Sequence, residues 1–278
     1  MGKSNSDYVD LHVHTQLSDG SLSPAEVVEQ AAEAGVALLA ITDHEGFDAY
    51  REALPLCRAH GIRLIEAAEL ECAYEGRQFH VLCYGARPDD APLRAQAAHG
   101  RALLDRMSDE LIERLAVDDT RVSPSDYTCF ERTPALGGWK ALEYLMRRGV
   151  TDSLRGGMSL YDRYGVTYER AGFVPFAQLI ETIRRAGGRA VLAHPGHTLR
   201  ALGEDEILAY VRTLVAFGLD GVECYHPLHS PSLCERLADW CRAEGLMITA
   251  GSDCHGAFGR TRLNQMNIRM GQIDLRGL

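Results

Sequence analysis

The chain has 278 residues, of which 46% are hydrophobic and 24% charged, and a formal charge of −10. This is the composition of a folded globular protein long enough for one large core with an insertion, and no apolar run reaches the length of a bilayer span. An acidic balance excludes a protein that coats nucleic acid through bulk positive charge, yet it admits a phosphorylated substrate, because bound divalent cations reverse the local field.

The opening "MGKSNSDYVD" has no charged-then-apolar leader pattern, so the expected setting is the cytoplasm. Gly2 and Ser6 match the N-myristoylation pattern, which is short enough to arise by chance. The eight cysteines form no Cys-x-x-Cys pair and several fall in apolar runs, which reads as reduced core thiols.

The first strand-like run, "YVDLHVH" over 8–14, ends on His12 and His14, whose i, i+2 spacing turns both to one side, and Asp19 follows in the next loop. Ser23-Pro24-Ala25-Glu26 opens a helix with a capping box and a proline in its first turn, and Gly35 closes it. "ALLAITDH" (37–44) ends on His44, "IRLIEAAE" (62–69) ends on Glu69, and "FHVLCYG" (79–85) carries His80 inside it. From Gly85 to about Phe173 the alternation breaks. There 95–116 and 137–150 read as helices, with turn-rich "VSPSDYTCFERTPALGG" between them. A helix over 176–188 then precedes "RAVLAHPG" with His194, and one over 205–218 precedes "GVECYHP". The last run, "LMITAGSDCH", repeats the i, i+2 spacing with Asp253 and His255. Strands alternating with helices predict an α/β fold with a parallel sheet closing into a barrel, formed by 1–85 and 173–278, with 86–172 a helical insertion capping the C-terminal rim.

In such a fold the C-terminal strand ends converge, and six of the eleven histidines fall at or near them. Nine residues gather there: His12, His14, Asp19, His44, Glu69, His80, His194, Asp253 and His255. They exceed the roughly four to six ligands of one ion, which points to two or three divalent metals. Imidazole and carboxylate donors without thiolate suit zinc, manganese or iron, and Cys254, between two candidate ligands, should point away.

"DLHVHTQLSDG", "AITDHEG", Glu69, "FHVLCYG", "AHPG" and "GSDCHG", in this order, resemble the polymerase-and-histidinol-phosphatase (PHP) family of the amidohydrolase superfamily. The resemblance covers most of the chain outside 86–172 and implies a distorted (β/α)7 barrel. It implies one metal on His12, His14, Glu69 and Asp253, a second bridged by Glu69 to His80 and His194, and a third on Asp19, His44 and His255. Glu66 and Glu71 are rivals for the place of Glu69, which aligns better with the family pattern. The insertion and "ECYHPLHS" narrow the likeness to nucleoside 3',5'-bisphosphate phosphatases and a 5'-to-3' exonuclease of short RNA. Where many of these carry Gly-Arg-Pro-His, this chain has Gly137-Gly138-Trp139-Lys140, which puts substrate preference in question.

The implied activity is a phosphomonoesterase, with manganese the first choice of metal, that removes the 3'-phosphate of a nucleoside 3',5'-bisphosphate such as 3',5'-adenosine bisphosphate. Lys140, Arg148 and Arg155 are candidates for the second phosphate, and Tyr225 and Trp139 for stacking on a base. His197 and His229, with His194, are candidates for contacting phosphate or protonating the leaving oxygen. The rival readings are exonucleolysis of short RNA, histidinol-phosphate hydrolysis and a noncatalytic PHP module. The partners expected are small phosphorylated nucleotides or short RNA, with no long duplex, membrane or obligate protein partner.

Overall fold

The computed structural model describes residues 7–87 and 89–278, so Gly2 and Ser6 lie outside the described residues. Seven strands form one sheet in chain order: β1 (Tyr8–Asp10), β2 (Val36–Ile41), β3 (Arg63–Tyr74), β4 (Arg77–Tyr84), β5 (Arg189–Leu192), β6 (Gly221–Tyr225) and β7 (Met247–Ala250). Four neighbouring pairs are parallel, but β4 runs antiparallel to both β3 and β5. The all-parallel expectation fails at Glu75-Gly76, a two-residue turn with φ of 48° and 72°. Positive φ at both centres makes a tight hairpin, whereas parallel neighbours need a crossover of about a dozen residues or more.

The sheet is also not a closed barrel, because β1 and β7 remain its edges. Just beyond them Leu11 N donates to Ala250 O at 2.9 Å, Asp253 N to His12 O at 2.8 Å and His14 N to Cys254 O at 2.9 Å, and Val13 bridges Cys254. A side chain adds to this seam. The buried Asp10 carboxylate accepts from Ser252 N at 2.8 Å and Asn264 N at 2.7 Å.

The helix α1 (Pro24–Glu33) starts as expected, with Glu26 N donating to Ser23 Oγ and Ser23 N to the Glu26 carboxylate, a cap worth about 1 kcal/mol. With α2 (Ala49–His60) it buries Val27, Val28 and Cys57 against Val13, Val36, Leu39 and Cys254. Between β4 and β5 come α3 (Ala91–Asp118), α4 (Pro124–Cys129), α5 (Lys140–Arg147), α6 (Met158–Arg163) and α7 (Tyr168–Ala171). These helices share their own apolar cluster, with Leu111, Ile112, Tyr127, Tyr144, Leu145 and Phe173 at its centre. The main core lies under α8 (Phe176–Arg185), α10 (Glu204–Val215) and α11 (Pro231–Glu244), while the short α9 (Pro195–Thr198) follows His194 directly. Among the described residues no helix is long and apolar enough to cross a membrane.

Candidate metal centre

Two isolated parallel bridges just beyond the strand ends build the centre: Val13 pairs with Cys254, and His44 with Glu69. Val13 and Cys254 turn into the apolar cluster under α1, so alternation sends His12, His14, Asp253 and His255 to the opposite face. His194 and Asp253 hold φ of 27° and 52°, left-handed values that non-glycine residues adopt only where surrounding structure enforces them.

The Nε2 atoms of His12 and His14 face each other at 3.1 Å, and Glu69 Oε2 lies 3.2 Å from both. Asp253 Oδ1 stands 3.5 Å from the first and 3.3 Å from the second. Donors about 2.1 Å from a shared ion are about 3.0 Å apart at right angles and about 3.4 Å at tetrahedral angles, so the spacing fits a bound cation. The other Glu69 oxygen reaches His80 Nδ1 at 2.8 Å and His194 Nε2 at 3.0 Å. Asp19 Oδ1 lies 3.2 Å from His255 Nε2, 3.8 Å from His14 Nδ1 and 3.9 Å from His44 Nε2. All nine expected residues therefore fall within overlapping donor groups.

Two ring nitrogens turned away from these groups are hydrogen-bonded: His12 Nδ1 meets Glu223 Oε1 at 3.0 Å and His255 Nδ1 meets Asp253 O at 2.9 Å. His44 Nδ1 stands between two carboxylates, 3.0 Å from Glu71 Oε1 and 3.4 Å from Glu69 Oε2. A proton shared there leaves the Nε2 lone pair for a cation. His14 Nδ1, Asp19 Oδ1 and His44 Nδ1 are buried without a hydrogen-bond partner, and a cation would satisfy them.

The electrostatics fit as well. Burial opposes the charge on Glu69, but the fields of His12, His80 and His44 outweigh it and hold the carboxyl well below its ordinary range. Burial likewise opposes protonation of His44, yet Glu69, Asp19 and Glu71 push it up to about 10, and Asp19 and Asp253 push His255 to about 9. The carboxylates around them raise His12 as well as His44 and His255, so protons on these rings would compete with a cation. Manganese uptake at pH 7.5 is expected to release protons and to tighten as pH rises toward 9. Calorimetric titration in buffers of different ionisation enthalpy measures this, and equal heats in all buffers would contradict it.

The other expected residues divide. His197, exposed on α9, and Arg155 line a cavity with Asp253, His255 and Arg260. Trp139 places its ring 5.9 Å from that of His44. Lys140 and Arg148 are not brought there: Lys140 lies over the Tyr127 ring at 4.4 Å, and Arg148 pairs with Asp126 at 2.5 Å above Tyr144. Tyr225 is buried in the main core, where burial raises its hydroxyl to about 12.

His229 has no ring nitrogen left for proton transfer, because Nδ1 faces Cys224 O at 3.0 Å and Nε2 accepts from Gly196 N at 3.1 Å. It clamps the turn after His194 instead. Glu66 sits on the opposite face of β3 from Glu69 by alternation, and Glu71, on the same face, holds His44 rather than replacing Glu69.

Two buried residues on or beside β6 escaped the sequence reading. Glu223 joins His12 to the backbone N–H of His194 at 2.8 Å, and His226 faces Asp253 Oδ2 at 3.4 Å while its Nδ1 accepts from Leu228 N. The signal was present in "GVECYHP", a buried strand carrying a carboxylate and an imidazole.

The PHP domain pattern matches residues 10–120. The chain is 32% identical to the phosphoribosyl 1,2-cyclic phosphate 1,2-diphosphodiesterase of Eggerthella lenta, over 90% of this chain and 95% of that one. It is 26% identical to the 3',5'-nucleoside bisphosphate phosphatase of Chromobacterium violaceum, over 89% and 87%. A crystal structure of a candidate metal-dependent phosphoesterase from Bifidobacterium adolescentis superposes with a TM-score of 0.78 at 26% identity, covering 99% of this chain and all of that one.

Proposed function

The chain belongs to the PHP family and is a metal-dependent phosphoesterase, and from that premise we propose that it releases the 3'-phosphate of nucleoside 3',5'-bisphosphates. The observation that carries this reading is a pair of unlike cavities. One, of about 310 Å³, sets Arg155 and Arg260 beside Asp253 and His255. The other, also about 310 Å³, is lined by Leu104, Met107, Trp139, Tyr161, Val166 and Tyr168. Phosphates match the lining of the first and a flat apolar base that of the second, whose Trp139 ring lies 5.9 Å from that of His44.

In this proposal His12, His14, Glu69 and Asp253 would hold one ion, Glu69 with His80 and His194 a second, and Asp19, His44 and His255 a third. Divalent ions there, manganese by preference, would activate water and neutralise charge on the phosphoryl oxygens during in-line displacement. Glu223 and Glu71 orient His12 and His44, His226 steadies Asp253, and Arg155 takes the phosphate that does not react. Residues 86–172 act as a cap on a PHP core of 1–85 and 173–278. The setting is the cytoplasm and the substrates are small, with no long duplex, membrane or obligate protein partner involved.

A second reading, hydrolysis of a cyclic phosphoribose, is favoured by the likeness to the Eggerthella enzyme. Both names describe a ribose carrying two phosphates, which the Arg155 cavity accommodates alike. Product formation in manganese, separated by chromatography so that opened cyclic esters and released mononucleotides are counted as well as free phosphate, is to be compared across 3',5'-adenosine bisphosphate, adenosine 3'-monophosphate, phosphoribosyl 1,2-cyclic phosphate, histidinol phosphate and short 5'-phosphorylated RNA. The bisphosphate is expected to give the highest kcat/KM, with adenosine 5'-monophosphate as product. A higher value on the cyclic sugar, histidinol phosphate or RNA would replace the bisphosphate reading with that one, and no turnover on any would favour a noncatalytic module.

A further inference from the structure

The loop carrying Asp19 is held from two sides. On its inner side the Asp43 carboxylate accepts from Thr15 N at 2.7 Å, Thr15 Oγ1 at 2.6 Å and Ser18 Oγ at 2.5 Å. On its outer side stands Arg132, from the segment joining α4 to α5. Its Nη2 donates to Gln16 O at 2.7 Å, and its Nη1 donates to Ser18 O at 2.8 Å and to Gly138 O.

One planar guanidinium thus joins three carbonyls from two segments far apart in sequence. Next to it Gly138 N donates to Asp19 O at 2.7 Å. Gly137, with φ of 72°, comes so close that a Cβ there would stand 2.9 Å from Asp19 O and 2.6 Å from Phe258 Cβ. Only glycine allows both that conformation and that approach.

We propose that Arg132 is a positioning residue that fixes Asp19 as the oxygen donor of the third metal set, so that the helical segment completes the metal centre as well as covering it. This rests on reading Asp19, His44 and His255 as metal ligands. Besides Arg132, Gly138 N ties the segment to Asp19 O at 2.7 Å, and Arg101, on α3, adds a 3.4 Å contact to Leu17 O, but neither reaches the carbonyls of Gln16 and Ser18. A flat fork with fixed N–H directions can serve three carbonyls at once, whereas a lysine ammonium on a flexible stem cannot span the same three. Without the guanidinium the turn keeps its Asp43 anchor and the Gly138 N–H on Asp19 O but loses its hold on the carbonyls of Gln16 and Ser18, which loosens the direction of the Asp19 carboxylate toward His255.

The test is manganese binding by equilibrium dialysis with elemental analysis, on wild type, Arg132→Lys, Arg132→Gln and Asp19→Asn, with thermal unfolding in chelator recorded alongside. Arg132→Lys and Arg132→Gln are expected to weaken one ion per chain by about 10- to 100-fold, the usual effect of removing an outer partner of a ligand. The remaining ions should bind as in wild type, and Asp19→Asn should lose that same ion. If Asp19→Asn loses an ion while both Arg132 variants bind all ions normally, the proposal is overturned. A lowered unfolding temperature with unchanged ion binding overturns it too, since Arg132 would then serve the fold alone. If Asp19→Asn keeps every ion at wild-type affinity, the ligand assignment itself falls, and the proposal falls with it.

Discussion

Glu69→Gln is expected to lower turnover about a thousandfold or more and to remove at least one bound ion per chain, while the protein stays folded. The reason is the division of labour between its two oxygens. Oε2 faces His12 and His14, and Oε1 faces His80 and His194, so one carboxylate spans two donor groups. Glutamine matches the shape but carries no charge, and it must turn an N–H₂ toward one of the two imidazole pairs. A thousandfold loss corresponds to about 4 kcal/mol of transition-state stabilisation, a reasonable share for a bridging charge at a two-metal site. Steady-state rates, elemental analysis and circular dichroism together decide it. Near-normal turnover with a full complement of metal would mean that Glu69 is not the bridge.

Glu69 is legible in the sequence through its alignment with the family pattern, and the i, i+2 pairs His12/His14 and Asp253/His255 through strand alternation, which is a local rule. The hairpin at Glu75-Gly76 was equally local but was overlooked between two strong strand signals, and the parallel expectation failed with it. Closure into a barrel failed for a different reason. It depends on how β1 meets β7, where Asp10 bonds Ser252 N and Asn264 N across more than two hundred positions, a pairing no window of sequence reveals. The same distance hides Glu223 from His12. His229 illustrates the opposite error: residue type suggested an acid or base, but only the fold shows both of its nitrogens spent on backbone groups. Composition likewise made Lys140 and Arg148 look like phosphate ligands, although aromatic rings and Asp126 already hold them.

The selectivity of the enzyme therefore should rest on Arg155. This exposed side chain lines the cavity beside Asp253 and His255, held there by a 3.1 Å bond to Phe258 O and by the Phe258 ring at 5.7 Å. If the metals act on one phosphate while Arg155 grips the other, binding energy remote from the reacting atoms orients the ester for attack. Losing a charge-assisted contact to phosphate costs about 1.5–3 kcal/mol, so Arg155→Ala should lower kcat/KM for the bisphosphate about ten- to a hundredfold. Adenosine 3'-monophosphate never makes the contact and should be hydrolysed nearly as before. Arg148→Ala should change the ratio of the two substrates little, because its guanidinium is already paired with Asp126. Arg155→Lys separates the phosphate contact from the support of Phe258, since it keeps the charge and gives up the fork, and it should recover part of the preference. Equal losses on both substrates in Arg155→Ala, with no recovery in Arg155→Lys, would show that Arg155 serves the Phe258 loop, and the unreacting phosphate would then have to be sought at Arg260.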